Sequence, residues 1–166
     1  MDEASQPARL FTKLSVLKNY IIVQENSHEF KARPLGWNEK GLIGALERAF
    51  ALRYFLFSNG DMVSEMRYDD INDRFEIQKN GATHVINPRS FTHGGRMYRI
   101  KSSMAGIELF EQINDSQKLV GRARLGFPSY SLEFENYPEE LKDLIKELSV
   151  LYILRKRVEH IAGPVQ

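Results

Sequence analysis

Basic residues recur at every second position in two stretches of the chain. Arg99 and Lys101 form one such pair, and Arg122 and Arg124 form the other. Side chains alternate between the two faces of a β-strand, so each pair is expected on one face of its strand. If the two strands are neighbours, these pairs together with Arg96 form a cationic patch suited to a phosphate or an anionic lipid headgroup. The alternative is a solvated outer face that carries charge and binds nothing.

A single tryptophan, Trp37, lies between Gly36 and Asn38 in a predicted loop. An indole ring is well placed at a membrane interface, because one end of it is apolar and the other is wet. A lone tryptophan more often packs over the edge of a core, and that interpretation is favoured here. Trp37 is kept as a candidate contact to a membrane or a partner.

No residue pattern indicates catalysis, a metal or a cofactor. The chain has no cysteine, which excludes disulfides, zinc–thiolate sites and iron–sulfur clusters. Its four histidines are not spaced to put two metal ligands on one helical face. The segment Asp69–Asp73 concentrates oxygen atoms but does not match an EF-hand loop, and it is interpreted as a turn. Because nucleotide-binding glycine fingerprints and a nucleophile elbow are also absent, we expect no catalytic residues, no metal and no cofactor.

The composition is that of one globular domain. The chain has 166 residues, of which 42% are hydrophobic and 27% are charged. Its formal net charge of +1 favours no class of polyanionic partner. Met1–Gln6 has no apolar signal-peptide core, and no apolar run approaches the roughly 20 residues of a membrane span. We therefore expect a cytoplasmic protein without a transmembrane span, with peripheral attachment to a membrane left open.

Short β-rich segments separated by turn residues follow one another along most of the chain. This rhythm indicates an antiparallel sandwich or barrel, not a parallel sheet. Residues 1–13 are interpreted as a flexible leader and residues 14–162 as a single domain. The segment Gly41–Phe57 is interpreted as a short helix or loop that enters a strand near Leu52. The clearest strands are predicted at Met62–Tyr68, Arg74–Gln78, Thr83–Ile86, Met97–Lys101, Ile107–Gln112, Leu119–Leu125 and Tyr130–Glu135.

The end of the chain changes from a strand period to a helix period. Asn136 is predicted as the N-cap and Pro138 as a residue of the first turn, so a helix is expected at about 138–161. Between Leu148 and Leu154 this helix is apolar on all sides apart from Ser149. A helix without a polar face is normally surrounded by protein. The sequence therefore predicts a closed antiparallel β-barrel with a hydrophobic C-terminal helix in it or against it.

Residues Ser131–Leu141, followed by Leu144–Leu154, resemble the last strand, the proline-marked entry and the central helix of the tubby C-terminal-like superfamily, which includes phospholipid scramblases and LURP-one-related proteins. The resemblance implies the same closed barrel around a C-terminal helix. It also implies a non-enzymatic domain that binds anionic phospholipid headgroups at the cytoplasmic face of a membrane. The stretch before the helix, Leu125–Tyr130, lacks the carboxylates of the scramblase calcium-binding segment, so calcium-activated scrambling is not implied.

Two other functions remain open from the sequence. A protein-interaction or adaptor domain is favoured by the apolar, glycine-punctuated segment Gly41–Phe57. A nucleic-acid-binding domain would use the same basic strands, with Tyr98 or Tyr130 stacking on bases. The near-neutral charge and the lack of a recognition helix argue against the nucleic acid.

Overall fold

The computed structural model describes residues 8–15, 20–126 and 130–162, with side chains as far as His160. The strands are β1 (Arg9–Ser15), β2 (Tyr20–Glu25), β3 (His28–Pro34), β4 (Arg53–Ser58), β5 (Asp61–Asp69), β6 (Arg74–Lys79), β7 (Ala82–Ile86), β8 (Ser90–His93), β9 (Arg96–Ser102), β10 (Gly106–Ile113), β11 (Ser116–Gly126) and β12 (Ser131–Glu135). The helices are α1 (Gly41–Ala49) and α2 (Lys142–Ala162), with a 3₁₀ turn at Glu139–Leu141 just before α2.

All the strands belong to one antiparallel sheet that curls into a nearly closed barrel. The sheet has 12 strands in the order β7-β6-β5-β4-β3-β2-β1-β12-β11-β10-β9-β8. The first and last strands, β1 and β12, pair in its middle, so the two sheet edges are β7 and β8. Between these edges a single bridge joins Asn87 to Ser90. The fold class expected from the sequence, a mainly β barrel with a C-terminal helix, is confirmed.

The two ends of the barrel differ in how their strands are connected. At one end, which we call the hairpin end, tight two-residue turns join the strands, and left-handed backbone suits their Asn and Gly residues. These turns are Asn26–Ser27, Asn59–Gly60, Asn80–Gly81, Gly94–Gly95 and Asn114–Asp115. The opposite end, which we call the loop end, carries α1 between β3 and β4, the β5–β6 turn, and the turn at Pro88–Arg89. Because the strands alternate in direction, every second connection lies at the loop end, and these connections are the longer ones.

Helix α2 enters the barrel at the hairpin end and runs through it towards the loop end. Every residue from 145 to 154 is buried, which confirms that this helix is surrounded by protein. Polar contacts help to fix this helix inside the barrel, and two of them lie near its middle. The Thr12 hydroxyl of β1 lies 2.8 Å from the Ser149 hydroxyl, and the Tyr152 hydroxyl donates to the carbonyl oxygen of Pro88.

Two expectations about boundaries need correction. Residues 9–13 are not leader, because β1 begins at Arg9 and pairs with both β2 and β12; residues 1–7 lie outside the described residues. Leu10, Thr12 and Leu14 of this strand are buried, at every second position. Helix α2 begins at Lys142, later than expected, because Pro138 is extended and precedes only a 3₁₀ turn. The segment Gly41–Phe57, expected as a short helix or loop that enters a strand near Leu52, forms helix α1 and then enters β4.

Candidate functional site: a basic pocket at the loop end

The two basic strands are not neighbours, contrary to the condition on which the predicted patch depended. β10 lies between β9 and β11, and its Glu108 is directly opposite both Lys101 and Arg122. On the next strand, Glu135 is opposite Arg122. Cations and carboxylates therefore alternate across the outer face of the sheet. Such a row offers an anion little net attraction, because each cation has a neighbouring negative charge.

Arg124 shares the outer face of β11 with Arg122, apart from Arg99 and Lys101, and Arg96 is also separate from the latter two residues. Arg124 is opposite Glu133 of β12 on the outer face. Arg96 has the same strand parity as the buried Tyr98, and it forms an ion pair with Glu111 at 3.5 Å. It lies at the hairpin end, beside the Gly94–Gly95 turn. The five predicted residues thus do not form one site.

Arg99 and Lys101 do line a shared pocket, but with cations that the sequence analysis did not associate with them. The pocket has a volume of about 440 Å³ and lies where β9, the Pro88–Arg89 turn and the C-terminal part of α2 meet. Five cationic side chains and one carboxylate, Glu159, line it. We call it the basic pocket. Its cations are Arg89, Arg99, Lys101, Arg155 and Lys156.

Arg155 is held in place by ion pairs and hydrogen bonds. Its Nε and Nη2 donate to the two carboxylate oxygens of Asp73 at 2.9 and 3.0 Å, a bidentate arrangement that fixes the guanidinium plane. Asp73 also accepts a 2.7 Å hydrogen bond from the Tyr68 hydroxyl. The hydrogen bonds from Arg155 are the main reason that the pKa of Asp73 lies below its ordinary value, and Tyr68 and Arg89 add to this effect.

The other cations of the basic pocket are less neutralised. Lys156 pairs with Glu159 at 3.3 Å. Arg89, Arg99 and Lys101 form no ion pair with any residue that the structure describes, and Lys101 packs over the Phe110 ring at 4.8 Å. Glu108 lies across the sheet from Lys101, and the charge of Arg89 acts on Asp73, so these two cations are partly offset. With five cations against one lining carboxylate, the concave surface still provides the donors and the positive potential that bind a phosphate group.

Large apolar side chains are exposed at the same end of the barrel. On α1, Leu42 and Ile43 are each about three-quarters exposed, and Phe50 follows directly with 73% exposure. The turns between β5 and β6 and between β9 and β10 add further apolar side chains, those of Ile71 and Met104. A helix normally buries such residues against its own domain, so their exposure marks a contact surface. We call these residues the apolar rim.

Helix α1 is fixed to the barrel although its apolar side chains are exposed. Arg48 donates to the carbonyl oxygens of Gly36 and Glu39, at 2.9 and 2.6 Å. From α2, Arg157 donates to the carbonyl oxygen of Ala49 at 2.6 Å. Because α1 is tied to α2 at its C-terminal end, the apolar rim has a defined position relative to the basic pocket.

Trp37 packs against the side of the barrel. Its ring lies 5.7 Å from that of Phe57 in an edge-on contact, and the Arg33 guanidinium lies 4.7 Å from its centre. The side chain remains 40% exposed. The packing interpretation fits this geometry, while contact of Trp37 with a membrane or partner stays a prediction.

The parts of the chain that the structure describes contain no group of three or more His, Asp or Glu side chains placed to hold a metal ion. Within the same residues, neither helix combines the length and the apolar character required to cross a bilayer.

Comparisons with known proteins place the fold among solved structures. No protein-family model matches the chain, and no curated protein matches it either. The chain is similar to the X-ray structure of a protein from Arabidopsis thaliana, AT5G01750, with a TM-score of 0.53 and 13% sequence identity. The match covers 92% of this chain and 93% of that one. At this level of identity the likeness establishes a shared fold over nearly the whole chain.

Proposed function

We propose that this protein is a non-enzymatic domain that binds anionic phospholipid headgroups at the cytoplasmic face of a membrane, and that it is related to the tubby, scramblase and LURP-one proteins. The observation that carries the proposal is the position of the basic pocket on the same end of the barrel as the apolar rim. A headgroup phosphate would occupy the pocket while the rim contacts acyl chains. The pocket would then contact the headgroup region, and the rim would contact the acyl-chain region, of the same membrane surface.

Within this proposal, the phosphate is bound mainly by Arg89, Arg99 and Lys101, which line the pocket and form no ion pair with a described residue, although Glu108 lies across the sheet from Lys101. Arg155 contributes from a fixed position, because Asp73 orients it. Arg122 and Arg124 lie outside the pocket, where Glu108, Glu133 and Glu135 neighbour them.

The test is co-sedimentation with vesicles of phosphatidylcholine alone or with added phosphatidylserine or phosphoinositide. Binding should require the anionic lipid and should weaken towards about 0.5 M salt, where the screening length is about 4 Å. The double substitution R99A/K101A should weaken binding by roughly 30-fold, since each cation near an anionic surface contributes about 1 kcal/mol. R122A/R124A removes the same charge from the alternating row and should change binding by less than about 3-fold.

Equal losses in the two double variants would refute the pocket and leave only general attraction to a charged surface. No binding to anionic vesicles at low salt would refute the lipid function itself. A short single-stranded oligonucleotide serves as a competitor, and its stronger binding at the same salt would favour the nucleic-acid alternative.

A second candidate function, a protein-interaction or adaptor domain, is favoured by the exposed apolar side chains of α1. The two functions separate in the variant L42Q/I43Q. If α1 contacts acyl chains, this variant loses vesicle binding, because each side chain buries apolar surface on binding. If α1 contacts another protein, vesicle binding is unchanged.

A further inference from the structure

The barrel is open along one seam, between the edge strands β7 and β8. The strands approach at the Asn87–Ser90 bridge near the loop end. Towards the hairpin end they do not pair, and a cleft of about 500 Å³ separates them. Residues of both strands line this cleft, and α2 forms its floor. We call it the seam cleft.

Both edges of the seam present unpaired backbone groups. The two-residue turn Asn80–Gly81 makes Lys79 and Ala82 the closing hydrogen-bonded pair of the β6–β7 hairpin. Pairing alternates along an antiparallel ladder, so the N–H and C=O groups of Thr83 and Val85 point away from β6, towards the seam. By the same reasoning from the Gly94–Gly95 turn, those of Thr92 on β8 point into the seam from the opposite side.

Natural edge strands are commonly protected by being very short, or by lysine, proline, bulges or a covering element. β7 and β8 are short, with 5 and 4 residues, but they carry none of the other protective features. β7 reads Ala-Thr-His-Val-Ile and β8 reads Ser-Phe-Thr-His, without lysine or proline. β-Branched and aromatic residues favour an extended partner on such an edge.

The floor of the seam cleft is acidic. Glu140, Asp143 and Glu147 of the helical segment line it, against one lysine, Lys79. Asp143 is paired with Lys146 at 3.2 Å, and Glu147 has a weak contact with Lys79 at 3.4 Å. The charge facing the cleft is therefore negative.

Glu147 is the most buried carboxylate of this floor. Its side chain is only 4% exposed, and its ion-pair partner among the described residues is Lys79, at 3.4 Å. Burial raises the pKa of Glu147 above its ordinary value and outweighs Lys79 and a hydrogen bond from the buried Ser64 hydroxyl, which lower it. A second cationic group in the cleft would strengthen the pairing that this one long contact provides.

We propose that the seam cleft binds an extended segment of a partner protein, which adds as a strand to the edge of β7 and places a lysine or arginine side chain over Glu147 and Asp143. The backbone of the segment supplies the hydrogen bonds that β7 and β8 leave unmade, and its basic side chain supplies the complementary charge. This site lies at the hairpin end, separate from the basic pocket, and does not depend on lipid binding.

The experiment selects binders from a phage-displayed library of random peptides of about nine residues, enough to span the seam. The full chain is the target. Selected peptides are expected to share one Lys or Arg at a fixed position between β-branched residues. Isolated peptides should bind with dissociation constants below about 0.1 mM. The failure of the library to yield any such peptide would overturn the proposal.

Variants then locate the site. E147Q keeps the shape of the side chain but removes its charge, and should weaken the selected peptides by at least about 10-fold. E29Q, which removes the charge of an exposed glutamate on β3 outside both the seam cleft and the basic pocket, is the control and should leave their affinity unchanged. Equal affinity for E147Q and the unmodified protein would place the peptides elsewhere and contradict the proposal.

Strand addition has its own signature. Methylating alternate backbone nitrogens of the peptide should abolish binding in one of the two alternating patterns and spare it in the other, because only one pattern faces β7. On the protein side, V85P removes one free-edge donor and should lower affinity without changing the fold. If both methylation patterns bind equally well, the segment does not add as a strand.

Discussion

The ion pair between Asp73 and Arg155 is predicted to stabilise the fold and to orient one cation of the basic pocket. The Arg155 side chain is only 12% exposed and comes from α2, whereas Asp73 lies in the turn before β6. The substitution D73N is suited to testing it, because asparagine tolerates the left-handed backbone of this position, where φ is 47°. D73N therefore changes the charge and one acceptor without adding backbone strain.

The expected loss follows from the contacts. Asp73 accepts two hydrogen bonds from Arg155 and one from Tyr68, and asparagine retains a single acceptor oxygen. Removing one partner of a fully buried pair costs about 3–5 kcal/mol, and the 39% exposure of the Asp73 side chain reduces this. We expect the free energy of unfolding to fall by about 2 kcal/mol, which lowers Tm by about 4–8 °C in a chain of this size.

The assay is denaturant unfolding followed by circular dichroism, with D70N as the matched control. Asp70 lies in the same turn but is exposed and forms no ion pair with a described residue, so D70N should change stability by less than about 0.5 kcal/mol. Equal stabilities of D73N and the unmodified protein would refute the reasoning, and so would an equal loss in D70N.

The same pair gives a dependence on pH. The hydrogen bonds from Arg155 hold the pKa of Asp73 below its ordinary value of 3.8. The unfolded chain therefore takes up this proton at a higher pH than the folded chain, and the stabilisation is present above about pH 4 and lost as the pH falls through the folded pKa. The stability difference between the unmodified protein and D73N should shrink below about pH 4. A difference that grows in acid would contradict the assignment.

Three further predictions concern the barrel and its central helix. L151A, at a fully buried position of α2, should lower the free energy of unfolding by about 2–5 kcal/mol, whereas L42A, on the exposed side of α1, should lower it by less than about 0.5 kcal/mol. Comparable losses in the two variants would contradict the position of α2 inside the barrel. G106A should lower the free energy of unfolding by about 3 kcal/mol or more, because φ of Gly106 is +152° and a Cβ there would overlap the carbonyl oxygen of Ala123. If thermal melting shows that the variant is as stable as the unmodified protein, β10 and β11 do not approach this closely. T12V should cost about 1 kcal/mol by removing the buried hydrogen bond to Ser149, and no change in chemical denaturation would show that this bond contributes nothing.

Much of the fold was predictable because its signals are local. The sequence shows asparagine and glycine at the hairpin turns. It also shows apolar and polar residues alternating along strands such as β6, where the structure buries the apolar ones. The all-apolar stretch from Leu148 to Leu154, interrupted by Ser149, predicted a helix in the barrel or against it, and the structure places the helix inside. The start of β1 at Arg9 was missed because its neighbours, β2 and β12, come from both ends of the chain.

The candidate site was predictable only in part. Arg99 and Lys101 were identified from their spacing, but Arg89 and Arg155 join them through tertiary contacts at the loop end. The alternation of charge around Arg122 depends on strand order and register, which no local pattern specifies. Cationic residues near the end of α2 look, in sequence, like ordinary helix-dipole partners.

The most direct test of the central claim places a fluorescent reporter on the apolar rim. Trp37 is the only tryptophan in the chain, so W37F/F50W moves the single indole to an exposed position beside α1. With anionic vesicles containing brominated acyl chains, we predict a blue-shifted emission and strong quenching of this indole, both absent with neutral vesicles. Unquenched, unshifted emission from protein that co-sediments with anionic vesicles would contradict insertion of the rim, and with it the proposed orientation of the basic pocket towards the membrane.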